Sequence, residues 1–165
     1  MASLTLVIHE RRGAWARHLR PRLLSWPIRW VETRSTDDLE SALAGTASPI
    51  VVIDLARRVR AGLEDLDRAV QRAPDAMTLV LDPEAREGVG VRVLARELGA
   101  THVISGVATP PRVAGLLARW LPLARRQAES QGWSNAPPPE PEPWSWLNPL
   151  LEGRTVPLRV RAARS

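Results

Sequence analysis

Three short runs of nearly continuous apolar residues constrain this chain most: "LTLVIHE" (Leu4 to Glu10), "PIVVIDL" (Pro49 to Leu55) and "AMTLVLDPE" (Ala76 to Glu84), with "ATHVIS" (Ala100 to Ser105) a further short strand. A strand that is apolar at successive positions, rather than at alternate ones, is buried on both faces. Such strands need helices above and below the sheet, and the intervening segments supply them. "RRGAWARHLRPRLLSW" spaces Trp15, Leu19 and Leu23 four apart, with Pro21 expected to kink or shorten the last turn. "STDDLESALAG" opens on Ser35 with Asp38 three residues on, has an acidic first turn, and reaches Gly45 where a helix would stop. "AGLEDLDRAVQRAPD" puts Leu63, Leu66 and Val70 on one helical face, and "AREGVGVRVLARELG" is a weaker helix because of Gly88 and Gly90. "PPRVAGLLARWLPLARRQ" opens on proline and carries the stripe Val113, Leu116, Leu117, Trp120 and Leu121.

With "IRWVETR" (Ile28 to Arg34), whose interleaved charges suit a sheet edge, the chain reads as strand and helix five times over. Right-handed crossovers then make an α/β domain with a five-stranded parallel sheet covered on both faces. The expected strand order is the flavodoxin-like 2-1-3-4-5. Residues 1–130 form this domain. From 131 to 165 the chain turns proline-rich and is expected to leave the domain as an extended Pro/Trp-rich C-terminal arm.

Composition removes several chemistries. Cysteine is absent from the 165 residues, so disulfides and thiolate chemistry are excluded. All 23 basic residues are arginine, and phenylalanine and tyrosine are missing too, a bias that GC-rich coding would produce. No mechanism that needs a lysine ammonium or a tyrosine hydroxyl from this chain is available. The three histidines, His9, His18 and His102, lie on different elements, and no G-x-S-x-G motif supports a hydrolase triad. The glycines of "GVG" lie within a helical stretch, so they are no phosphate loop. No cofactor is implied. There is no leader and no run of eighteen apolar residues, which leads us to expect a cytoplasmic protein without a membrane segment.

The runs "PIVVIDL" and "MTLVLDPE", and "LARELGATHVIS" with its "GA" before the last strand, resemble the third strand, the fourth strand and the last helix-strand unit of receiver domains. These are the CheY-like response-regulator modules of two-component signalling. The resemblance covers residues 3–128. It implies an acidic pair after the first strand for a divalent cation, a phospho-accepting aspartate after the third, a hydroxyl after the fourth and a lysine after the fifth. Here those places fall on His9 and Glu10, on Asp54, on or beside Asp82, and near Ser105 and Gly106. One carboxylate of the pair is lost, Asp82 adds negative charge where phosphoryl oxygens would need stabilising, and no lysine exists to move into place. The resemblance is therefore to a degenerate pseudo-receiver with no catalytic residue.

All four polar residues would meet at the carboxyl edge of the sheet, where open parallel sheets bind ligands. A divalent-ion site built from His9, Glu10, Asp54 and Asp82 is one reading; polar strand ends meeting water is the other, and it is preferred.

Two features point outward. The formal charge of +5 suits an acidic partner or nucleic acid, but the arginines are scattered and no nucleic-acid motif accompanies them. In the arm, a stiff acidic proline spacer precedes Trp144, Trp146, Leu147, Leu150 and Leu151, side chains of the kind that anchor protein interfaces. The expected function is a non-enzymatic adaptor or subunit of a larger assembly, tethered to a protein partner through residues 133–165, the other reading of the arm being that it folds back on its own basic domain. The alternatives are a working response regulator phosphorylated on Asp54 and a nucleic-acid-binding accessory subunit.

Overall fold

The computed structural model describes residues 4–84 and 89–134. Five strands, β1 (Leu4–His9), β2 (Ile28–Thr33), β3 (Ile50–Asp54), β4 (Met77–Asp82) and β5 (His102–Ser105), alternate with five α-helices. These helices are α1 (Ala14–Leu19), α2 (Thr36–Leu43), α3 (Val59–Arg72), α4 (Val89–Glu97) and α5 (Pro110–Ser134). The sheet is wholly parallel with the order β2-β1-β3-β4-β5, as expected.

The period of two along each strand divides the core into two layers. Leu4, Leu6 and Ile8 of β1, Ile50 and Val52 of β3, and Leu79 and Leu81 of β4 pack under α1 and α5, against Leu19, Val113, Leu117, Trp120 and Leu121. Val7, Val51, Ile53 and Val80 face the other way, onto Leu39 and Leu43 of α2, Leu63, Leu66 and Ala69 of α3, and Ala95 of α4. Trp15, Trp26 and Trp30 lean on the first layer. The apolar side chains of the second layer are all aliphatic among the described residues.

Local signals explain the boundaries. Pro21 ends the first helix early: α1 stops at Leu19 and a 3-10 turn covers Arg20–Arg22. The Ser35 hydroxyl accepts the Asp38 N–H (3.2 Å) at the start of α2, and Gly45 takes the left-handed conformation (φ 71°) just past its end. Gly99 is also left-handed (φ 100°), and a Cβ there would come within 2.9 Å of a Val70 methyl, so the "GA" before β5 answers both backbone and packing. Arg20 lies over the Trp30 ring (5.7 Å) and bonds Glu32 (2.8 Å), placing charge along edge strand β2.

Helix α5 continues to Ser134, and Pro122 removes one hydrogen-bond donor from its interior. Its late turns are tied down from afar. Asp75 Oδ2 accepts the Ser48 N–H (2.8 Å), the Ser48 hydroxyl (2.9 Å) and Gln131 Nε2 (2.8 Å), while Gln127 Nε2 donates to the Asp75 carbonyl (3.2 Å). The residues expected to dock on a partner, Trp144, Trp146, Leu147, Leu150 and Leu151, lie outside the described residues. Among the described residues no helix is long and apolar enough to cross a membrane.

Candidate functional site

The carboxyl edge of the sheet is where the strand ends bring polar side chains up from the core. Adjacent residues on a strand point to opposite faces, and this separates the residues expected to converge. His9 follows Val7 toward α2 and α3, and it is buried. Its Nδ1 lies 2.9 Å from the Thr33 hydroxyl and its Nε2 2.9 Å from Asp65 Oδ2. The second Asp65 oxygen accepts the Thr36 hydroxyl (2.6 Å), so one buried network joins β1, β2, α2 and α3.

Glu10 turns the other way, into the start of α1. Its two carboxylate oxygens accept the N–H groups of Trp15 and Ala16, each at 2.7 Å. Helix α1 has only six residues and a glycine at its N-cap, so this carboxylate supplies the cap that the chain lacks locally. The residue expected to be the surest cation ligand thus already serves a helix end.

Asp54 closes β3 half-buried, with Oδ1 accepting the Ala56 N–H (3.2 Å). Burial pushes its carboxyl above the usual carboxylate range and Glu10 and Glu84 add to this, while the Ala56 N–H and the Arg12 guanidinium oppose it. Asp82 is buried at the end of β4, and its carboxyl is also raised, by burial and then by Glu84. By strand alternation it follows Val80 toward the α2–α4 layer, away from the side that Asp54 shares with Val52. The four residues therefore do not form the single cluster considered from sequence. Among the described residues no group of three His, Cys, Asp or Glu side chains is arranged to hold a metal ion.

A cleft of ≈ 190 Å³ opens at this edge. His9, Glu10 and Asp54 border it and Asp82 does not; sequence reasoning missed Asp65, and it saw the arginine pairs 11–12 and 57–58 as basic clusters without placing them here. Arg57 has φ 66°, a left-handed backbone that costs a non-glycine residue about 1 kcal/mol. Asp65 had a legible signal, because an aspartate stands among Gly62, Leu66 and Ala69 on the buried face of α3. The other histidines stand apart: His18 is exposed on α1, and His102 at the start of β5 has its imidazole pKa lowered by burial and by Arg96 and Arg112. A separate apolar groove of ≈ 760 Å³ runs between α3 and α4 past Leu63, Val91, Leu94 and Leu98.

Three solved structures share this architecture. A response regulator from Burkholderia pseudomallei, described with a phosphorylated aspartic acid, calcium ion and citrate, superimposes with TM-score 0.59 at 18% identity, over 81% of this chain and 76% of its own. A CheY-like response regulator receiver domain from Methanospirillum hungatei matches with TM-score 0.63 at 13% identity, over 75% and 98%. The chain has the receiver fold. A putative pilus assembly-related protein from Burkholderia pseudomallei carries the same fold, with TM-score 0.53 and 18% identity over 76% of this chain and 92% of that one. No family model and no curated protein sequence matches the chain.

The raised Asp82 carboxyl has a measurable consequence. The folded state holds that proton more tightly than the unfolded chain, so the stability it contributes is complete below the ordinary carboxylate pKa and is lost as pH rises through the folded value. Asp82→Asn removes the buried charge while keeping the shape. Its melting temperature should exceed that of the unaltered protein by a few degrees at neutral pH, and the advantage should vanish below about pH 4. Thermal melts across that range check both parts.

Proposed function

We propose that this chain is a non-enzymatic adaptor or structural subunit: a receiver-fold domain that does not switch by phosphorylation and that engages a protein partner through Trp144, Trp146, Leu147, Leu150 and Leu151. The observation that carries the first half is the commitment of Glu10 to the α1 N–H groups. With His9 bound to Asp65 and no lysine in the chain, the cation and ammonium that stabilise a transferring phosphoryl group have no evident supports. The second half is supported by the composition of residues 133–165, where tryptophan and leucine follow a stiff acidic spacer. The similar structure named for pilus assembly supports the idea that this fold serves within assemblies.

One observation favours a second reading. Asp54 closes β3 in a fold shared with a response regulator whose aspartate is phosphorylated. Treating the full chain with acetyl phosphate and magnesium, followed by mass spectrometry, separates the two. We expect no phosphoryl adduct on Asp54, and an adduct absent from Asp54→Asn would overturn the incompetent reading. For the tether, the full chain and its Trp144→Ala/Trp146→Ala variant are used as paired baits. A partner retained by the first and lost by the second is the expected result; equal retention would remove the arm from the interface.

A further inference from the structure

We propose that the cleft at the carboxyl edge of the sheet is a small-oxyanion site, in which the guanidinium groups of Arg11, Arg12, Arg57 and Arg58 hold a phosphate-type anion without a metal ion and without a covalent bond to Asp54. Two loops converge to build it. The β1–α1 loop contributes one arginine pair and the β3–α3 loop the other, and all four residues line the cleft. Ion pairs among the described residues engage Arg20, Arg60, Arg68 and Arg125, and none of them involves Arg11, Arg12, Arg57 or Arg58.

The acids of the cleft, by contrast, are largely occupied. Glu10 caps α1, and Asp65 is held by His9 and Thr36. Asp54 remains, with one oxygen on the Ala56 N–H. These hydrogen bonds leave the carboxylates charged, so four arginines face Glu10, Asp54 and Asp65 and the cleft keeps a formal excess of one positive charge, which favours anions. Guanidinium forks match phosphate oxygens bidentately, and a lysine would not substitute for them. The cleft, at ≈ 190 Å³, has room for a tetrahedral oxyanion or a pyrophosphate. This inference is independent of what the C-terminal arm binds.

The test is calorimetric titration of the full chain with inorganic phosphate and with pyrophosphate, at low salt and with a chelator present. The expected result is saturable one-to-one binding with pyrophosphate the tighter ligand. Arg12→Gln/Arg57→Gln should weaken it by about tenfold or more, and Asp54→Asn should strengthen it several-fold by removing one of the three carboxylate charges in the cleft. Arg119→Gln/Arg126→Gln on α5 removes the same charge away from the cleft and should leave affinity within about twofold; circular dichroism melts confirm that each variant folds. Absence of saturable heat at millimolar pyrophosphate overturns the proposal, as does equal weakening by the α5 control. Affinity for oligothymidylate that rises with length and is not displaced by pyrophosphate also overturns it, assigning the arginines to a nucleic-acid surface.

Discussion

Asp65→Ala should destabilise the folded chain by about 3 kcal/mol, read as a lower urea midpoint with an unchanged denaturant slope. The carboxylate is buried and serves two elements at once, taking His9 Nε2 with one oxygen and the Thr36 hydroxyl with the other. Truncation takes the acceptor from the buried His9 ring and the half-buried Thr36 hydroxyl, so the cost includes an orphaned polar group as well as lost hydrogen bonds. Asp65→Asn keeps one acceptor and should cost roughly half as much. His9→Ala combined with Asp65→Ala should cost clearly less than the sum of the two single changes, because both remove the same pair. Additive losses would show that the contact carries little coupling energy.

Glu10→Ala should cost about 2–3 kcal/mol through a different route. Six residues cannot hold a helix by themselves, since nucleation is unfavourable and the first turn leaves its N–H groups unpaired. The Glu10 carboxylate takes two of those groups and places negative charge at the positive end of the helix. Hydrogen exchange at the Trp15 and Ala16 amides reports the effect locally and should accelerate ahead of the rest of the domain. Glu10→Gln, retaining one oxygen, should protect only partly. If neither variant changes exchange at these amides, the carboxylate is not the cap, and its availability to a cation has to be reconsidered.

The sheet was legible because parallel strands buried on two faces leave an unmistakable apolar mark, and the polar, exposed character of β2 fixed it at an edge. Helix ends were legible where a residue type enforces them, as at Pro21, Ser35 and Gly45. Where the anchor is remote, the signal fades. Helix α3 begins at Val59 with no capping side chain to announce it, and the last turns of α5 depend on Asp75, fifty-six positions before Gln131.

The site divides in the same way. Asp54, Glu10 and His9 were found as strand-end polar residues, and three of the four expected residues do border the cleft. Their partners were not found, because the His9–Asp65 contact also spans fifty-six positions and periodicity records only which face a residue occupies. That same periodicity does bear on one point: His9 ends β1 on the α2–α3 side, so its ring is directed to Asp65, while Glu10, just past the strand, reaches α1.

The uneven placement of tryptophan determines how this protein can be watched. Trp15, Trp26, Trp30 and Trp120 all belong to the layer under α1 and α5, whereas the layer built on α2, α3 and α4 has no tryptophan among the described residues. Within the folded domain these indoles make fluorescence a one-sided optical probe. Loosening that begins around His9 and Asp65 would show first in circular dichroism and only later in emission. A lag between the two signals would expose a partly opened state that either measurement alone would miss.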